Sequence, residues 1–161
     1  ARERAPDLRA ILIGHGELHR EMKELIASLG QTENMHLTGW LEDHKSLPEY
    51  FNAADIYVSS ALSDGSSLSL LEAMACALPV LVTDTPSNFE WVTPDENGVI
   101  VPRKNVDALA RELARLAKDP ELRRTMGRRN LELAQNKADW DKNFARLEGM
   151  YEQLVRQAES S

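Results

Sequence analysis

Glu72 is a single carboxylate in an otherwise uncharged stretch, because no other charged residue lies between Gly65 and Thr83. Its neighbours are apolar or small, so we expect this segment, and Glu72 with it, to lie mostly inside the protein. An unpaired buried carboxylate is costly, and no Lys or Arg lies nearby in the sequence to pair with it. A carboxylate in this setting is suited to accept hydrogen bonds from the hydroxyl groups of a ligand.

The five residues 63–67, Ser-Asp-Gly-Ser-Ser, form a small polar loop directly before a predicted helix. Backbone N–H groups at a helix N-terminus lack partners and attract anions, and small residues let the backbone approach a phosphate closely. The loop therefore predicts a phosphate site, with Glu72 one or two turns along the helix to receive hydroxyls. Together these features outline a site for a sugar nucleotide.

Both features also have a purely structural interpretation. Asp64 is of a type that favours helix N-caps, so its role could be limited to capping. Glu72 could be held by a distant Arg or by a buried water. Perturbed carboxylates occur in structural as well as functional settings, so the residues alone leave both interpretations open.

Other chemistries have weaker support in the sequence. His15 and His19 lie four residues apart, but no third ligand completes a tetrahedral metal site, so no metal is expected. Ser66, Ser67 and Ser69 lie close together, yet the chain has no Gly-x-Ser-x-Gly motif and no His placed to act as a base. A serine hydrolase is therefore not predicted.

The composition of the 161 residues, with 42% hydrophobic side chains, fits one domain of ordinary size. A net charge of −7 argues against nucleic acid or an anionic membrane as the main partner. The one cysteine, Cys76, is expected to be a small core residue and fits a reducing compartment. No apolar stretch reaches the roughly 20 residues of a membrane helix, and no signal peptide opens the chain, so we expect a cytoplasmic location.

Short apolar runs alternate with segments of helical periodicity, which is typical of a parallel sheet covered by helices on both faces. Because ligands of such sheets bind at the carboxyl ends of the strands, residues 14–16 and 63–67 are expected on one rim. The predicted strands cover residues 8–14, 35–38, 55–60, 79–83 and 98–102. The predicted helices cover residues 17–29, 47–54, 67–77, 106–117, 120–134 and 139–157.

The start of the chain is unusual for this architecture. Residues 1–7 look like the end of a helix that leads into the first strand, whereas a doubly wound domain ordinarily has a strand before that point. We therefore expect a Rossmann-like α/β domain that lacks its first strand.

Residues 64–80, DGSSLSLLEAMACALPV, resemble the C-terminal, donor-binding half of the group 1 glycosyltransferases (family 4, GT-B fold). The resemblance covers essentially the whole chain, because several further segments match in order and spacing. These segments are Ile13-Gly14-His15-Gly16, Thr38-Gly39-Trp40, residues 54–58 (ADIYV), Asn97-Gly98 with Val101-Pro102, and residues 108–110 (ALA).

The resemblance implies a set of donor contacts around a nucleotide-diphosphate sugar. Asp64 would contact the transferred sugar as the catalytic carboxylate, and Glu72 would bind the ribose hydroxyls. The backbone N–H groups of Ser66, Ser67 and Leu68 would hold the diphosphate. Four residues of neighbouring loops would line the same cleft: Gly39 and Trp40 near the base, with Gly14 and Gly16. Asn88 and Glu90 are further candidate contacts.

Two residues depart from the family pattern: Asp64 stands where Glu is usual, and Ala77 stands where Gly is usual. The resemblance implies a retaining transferase that uses no metal or other cofactor. The alternatives are a non-catalytic module that binds a nucleotide or nucleotide sugar, and a related GT-B enzyme such as an epimerase or phosphorylase.

The domain organisation predicted from these features has two parts. Residues 1–137 would form the nucleotide-sugar-binding domain, and residues 138–161 a helix that packs toward an N-terminal domain outside this chain. That domain would hold the acceptor, and the full enzyme would associate peripherally with a membrane. On the terminal helix, whose apolar stripe runs from Trp140 to Leu154, we expect Tyr151 and Leu154 to be more exposed than Trp140.

Overall fold

A computed structural model describes residues 1–41 and 46–159, and strands and helices alternate along the first two-thirds of the chain. The strands are β1 (Ala10–Ile13), β2 (Met35–Gly39), β3 (Tyr57–Ser59), β4 (Val80–Thr83) and β5 (Gly98–Val101). The helices are α1 (His19–Ser28), α2 (Leu47–Ala53), α3 (Leu68–Ala75), α4 (Asn88–Trp91), α5 (Val106–Lys118), α6 (Pro120–Lys137) and α7 (Trp140–Glu159).

Two short segments differ from the prediction. The segment of Asn88 and Glu90, predicted as a loop, contains the single-turn helix α4, which is too short to show a periodicity in the sequence. Residues 1–7, predicted as the end of a helix, form turns in which the N–H groups of Arg4 and Ala5 donate to the carbonyl oxygen of Ala1 (2.9 and 3.0 Å).

The strands pair in parallel, as expected for an α/β fold of the Rossmann type, but they form two hydrogen-bonded sheets. β1 pairs with β2 in one sheet, and β4 lies between β3 and β5 in the other. The predicted parallel α/β architecture is therefore confirmed, with the described strands divided between two hydrogen-bonded sheets. The apolar runs predict where strands occur, whereas the pairing of β1 and β3 with other strands depends on contacts distant in sequence.

The centre of the core lies on both faces of β4. Val80 and Val82 pack with α3 side chains on one face, whereas Leu81 packs with side chains of α5 and α6 on the other. All four residues of β4 are buried. This double coverage is what a central parallel strand requires, and it fixes α3 against the sheet.

β1 does not share this burial. Ile11 and Ile13 are exposed while Ala10 and Leu12 are half-buried, so the strand has one uncovered apolar face. A short apolar run such as residues 8–14 predicts a buried strand, and the exposure of Ile11 and Ile13 shows that this prediction is wrong for these two residues.

The C-terminal end of α3 is fixed by a Schellman motif against α6. The N–H of Leu78 donates to the carbonyl oxygen of Ala73 (3.1 Å), and the N–H of Ala77 donates to Met74 (3.0 Å). Ala77 adopts φ of 57° at the turn. A Cβ on Gly127 of α6 would collide with the carbonyl oxygen of Ala77, so a glycine at this position is what allows the two helices to approach.

The terminal helix α7 projects its apolar stripe into solvent along its whole length. Trp140 is 76% exposed, compared with 63% for Tyr151 and 60% for Leu154. The helix itself is confirmed, but the expectation that the Trp140 end is the better covered one is wrong. Within the described residues, no helix is both long and apolar enough to cross a membrane.

Candidate functional site

The loop that follows β3 leads directly into α3, as the sequence predicts. Helix α3 begins at Leu68 with Ser67 in the N-cap position, where the backbone is extended (φ −73°, ψ 116°) and no side chain caps the helix. The first amides of a helix have no intrahelical acceptor, so they remain available at this end. The interpretation of Asp64 as the helix cap is wrong, because Ser67 holds the N-cap position three residues later.

Three hydroxyl groups form a chain beside the start of α3. Ser67 Oγ lies 3.1 Å from Ser69 Oγ, which in turn lies 2.8 Å from the phenol oxygen of Tyr57 in β3. Ser66, Leu68 and Asp64 are exposed around this chain. Sequence reasoning missed Tyr57, whose type and position in β3 predict only a strand residue.

Glu72 lies one turn into α3 and is exposed, so the expectation of a buried carboxylate is wrong. The helical period explains the difference, because Leu70, Ala73 and Met74 form the face that is buried against the sheet. Leu68, which is 73% exposed, and Glu72 lie four residues apart on the opposite face. Within residues 1–41 and 46–159, no ion pair involves Glu72. The structural interpretation, in which a distant Arg holds a buried Glu72, therefore has no support in the described residues.

The carboxyl ends of β1 and β2 bring the predicted glycines together. The N–H of Gly14 donates to the carbonyl oxygen of Gly39 (3.2 Å), and both residues have positive φ, 133° and 70°. Gly16 and Trp40 follow in exposed positions. These four residues form one group of candidate contacts, and the residues of the α3 N-terminus form another.

The rings of His15 and His19 lie next to each other, with centroids 5.0 Å apart. Residues 1–41 and 46–159 contain no group of three or more His, Cys, Asp or Glu side chains that could hold a metal ion. Cys76 is half-buried at the end of α3, and burial, reinforced by the nearby charge of Glu72, raises the pKa of its thiol. A raised pKa favours the neutral thiol, which agrees with the prediction of a core residue.

Two of the surface depressions in the described residues lie away from the α3 N-terminus and from the glycines at the ends of β1 and β2. One, of about 270 Å³, lies between Asn97 and α6, and the other, of about 400 Å³, lies beside Cys76 at the opposite end of α3. The loop before α3 lines neither of them. At the start of α3, Ser66 and Leu68 are exposed on the surface.

Residues 1–132 match the family described as "Glycosyl transferases group 1", and the chain belongs to this family. A curated relative is the lipopolysaccharide core biosynthesis mannosyltransferase LpsB of Rhizobium meliloti (strain 1021). The two are 30% identical over an alignment of 165 positions, gaps included, which covers 94% of this chain and 44% of LpsB.

Solved structures show the same fold. Sucrose-phosphate synthase from Thermosynechococcus elongatus matches with a TM-score of 0.83 and 27% identity, over 91% of this chain and 38% of that protein. Anabaena HepE, in complex with UDP, matches with a TM-score of 0.73 and 22% identity, over 97% of this chain and 42% of that one. The chain thus spans less than half the length of each of these proteins. The predicted C-terminal domain of a GT-B glycosyltransferase is confirmed.

Proposed function

We propose that this chain is the donor-binding half of a retaining, metal-independent glycosyltransferase that moves a sugar from a nucleotide-diphosphate sugar to an acceptor. The observation that carries the proposal is the start of α3. An uncapped helix N-terminus follows a Gly-Ser loop, and one turn further an exposed Glu72 has no ion-pair partner in the described residues. The UDP bound in the similar HepE fold is consistent with such a ligand.

Each part of the donor has a matching group. The N–H groups of Ser66, Ser67 and Leu68 are suited to the diphosphate, because helix N-termini stabilise anions without a metal. Glu72 can accept both ribose hydroxyls, since a carboxylate has two acceptor oxygens. Asp64 would contact the transferred sugar from the loop.

The second group of residues would complete the cleft. Gly14, Gly16 and Gly39 would line it without side chains, and Trp40 would lie near the base. Retention of the anomeric configuration is carried by the family resemblance alone, and the anomeric signal of the product in an NMR spectrum is the measurement that tests it.

The partners of the complete enzyme follow from the same proposal. The acceptor would bind to a preceding domain, against which the apolar stripe of α7 would pack, since large exposed apolar surfaces mark interaction sites. A peripheral membrane association would place lipid-linked acceptors within reach. A cytoplasmic location is proposed because the free thiol of Cys76 suits a reducing compartment.

Substitution of Glu72 by Gln tests the donor site. The Glu72→Gln chain should bind UDP or GDP about 1–3 kcal/mol more weakly, because a charged acceptor of the ribose hydroxyls is lost. Isothermal titration calorimetry measures this difference. Glu132→Gln, at an exposed glutamate on α6, is the matched control and should leave the affinity unchanged.

Two outcomes would contradict the proposal. Equal affinities of the folded Glu72→Gln chain and the unaltered chain would show that Glu72 does not contact the nucleotide. Absence of binding by the unaltered chain to UDP, GDP and their sugars would remove the donor-site assignment as a whole. Transfer, as opposed to binding without reaction, is tested with the full-length enzyme and an acceptor.

A further inference from the structure

Three side chains from the ends of neighbouring strands hold the loop between β3 and α3. Thr83, at the end of β4, donates its hydroxyl to the carbonyl oxygen of Ala61 (2.5 Å). Arg103 Nη1, beyond β5, donates to the carbonyl oxygen of Leu62 (3.1 Å). Ser87 Oγ donates to the carbonyl oxygen of Asp64 (3.1 Å). The backbone of residues 61–64 is therefore bonded at three carbonyl groups to other parts of the fold.

Arg103 is itself fixed by Asp84. One carboxylate oxygen, Asp84 Oδ1, accepts from both the backbone N–H (2.8 Å) and Nε (3.0 Å) of Arg103. The N–H of Asp84 donates to the carbonyl oxygen of Val101 in β5 (3.0 Å). The guanidinium thus connects a rigid strand end to the loop, which a flexible lysine ammonium would do less well.

The other two donors are also anchored. Thr83 is buried, and its carbonyl oxygen accepts from the side-chain amide of the buried Asn88 (2.7 Å). Ser87 Oγ lies 3.3 Å from the hydroxyl of Thr85. Each bond to the loop therefore starts from a position that does not depend on the loop itself.

We propose that Thr83, Ser87 and Arg103 are positioning residues that fix residues 61–64 and so aim the first amides of α3 at the diphosphate of the donor. This inference rests on the proposed function of the α3 N-terminus. Ordering a loop on binding reduces affinity, and a loop that is ordered beforehand avoids that loss. None of the three side chains contacts the ligand in this scheme.

Backbone ¹⁵N relaxation of residues 61–68 in the ligand-free chain tests the positioning directly. Order parameters of about 0.85 are expected in the unaltered chain and below about 0.6 in Arg103→Ala, because rigid and flexible backbones differ by this amount. Arg129→Ala is the matched control, because Arg129 on α6 also donates to a backbone carbonyl oxygen, that of Glu96 (3.3 Å), but not to the loop before α3. The control should leave residues 61–68 unchanged.

A pair of substitutions at Thr83 separates positioning from packing. Thr83→Val keeps the shape and removes the hydroxyl, whereas Thr83→Ser keeps the hydroxyl and removes the methyl group. The loop should become mobile in Thr83→Val and stay ordered in Thr83→Ser. A loop that stays ordered in Thr83→Val and becomes mobile in Thr83→Ser would overturn the inference. If Arg103→Ala does not fold, Ser87→Ala provides a further test.

Calorimetry with UDP then links the loop to the ligand. Arg103→Ala should bind UDP more weakly by up to about fivefold, because one hydrogen bond that orders the loop is lost, and Arg103→Lys should fall in between. A mobile loop with unchanged UDP affinity, or unchanged order parameters in Arg103→Ala, would overturn the positioning role. Absence of UDP and GDP binding by the unaltered chain would instead overturn the proposed function, whatever the order parameters.

Discussion

Ala77 adopts a backbone conformation that favours glycine. Its φ of 57° lies in the left-handed region, where the Cβ of an L-residue is crowded by the carbonyl oxygen. Alanine at this position, where glycine is usual in the family, therefore has a conformational cost at the turn between α3 and β4.

Ala77→Gly should raise the free energy of unfolding by about 0.5–1 kcal/mol, because relief of the left-handed strain exceeds the added entropy of the unfolded chain. Urea denaturation followed by circular dichroism measures the change. Ala75→Gly, two residues earlier in a helical conformation, is the control and should lower the free energy of unfolding by a similar amount. A loss of stability in both variants would show that the turn carries no strain.

Glu72 shows why residue types alone mislead about burial. The run around it is apolar, but a helix presents only one face to the sheet, and that face carries Leu70, Ala73 and Met74. The uniform composition hides this division, which appears only when the position of the sheet relative to α3 is known.

At the scale of elements, the contact between Asp84 and Arg103 joins β4, β5 and the loop before α3. The backbone N–H of Arg103, together with its side chain, lowers the pKa of the Asp84 carboxyl. A carboxyl whose pKa is lower in the folded than in the unfolded state adds stability above its unfolded pKa. That stability is lost as the pH falls through the folded pKa, below about pH 4.

We therefore expect the free energy of unfolding to fall between about pH 4 and pH 2, and to fall less steeply in Asp84→Asn. Denaturant titrations at a series of pH values measure both slopes. An equal slope in Asp84→Asn and the unaltered chain would show that this contact does not contribute to the acid dependence.

The elements themselves were largely predictable, because their signals are local. The strand at Val80 and the helix at Val106 follow from β-branched runs and helical periods, which need no knowledge of the rest of the chain. The hydrogen bond from Arg103 to the carbonyl oxygen of Leu62 joins residues 41 positions apart, so no local sequence pattern predicts it. The division into two sheets also depends on contacts between residues that are distant in sequence.

The candidate site was predictable in its location more than in its details. The Gly-Ser loop before α3 and the close pair of Gly14 and Gly39 lie at strand ends, where the alternation of elements placed them. The hydroxyl chain through Tyr57 depends on how β3 lies beside the helix. Such a contact can be predicted only when the tertiary structure is known.

At the scale of the whole molecule, β1 and α7 both leave apolar surface uncovered within the described residues. One face of β1 exposes Ile11 and Ile13, and the whole of α7 exposes its stripe from Trp140 to Leu154. Apolar surface of this extent favours association with another surface. The chain also spans only 44% of the length of LpsB.

The chain by itself should therefore bind nucleotide but transfer no sugar. Catalysis requires donor and acceptor to be held together in a reactive geometry, and the proposed scheme assigns the acceptor to a domain outside residues 1–161. Incubation with UDP- and GDP-sugars and simple acceptors, followed by mass spectrometry, should give no product above background. The nucleotide affinity measured by calorimetry in the same preparation confirms that the donor site is intact. Turnover by this chain alone would show that residues 1–161 hold the acceptor as well, and that the half-enzyme proposal is wrong.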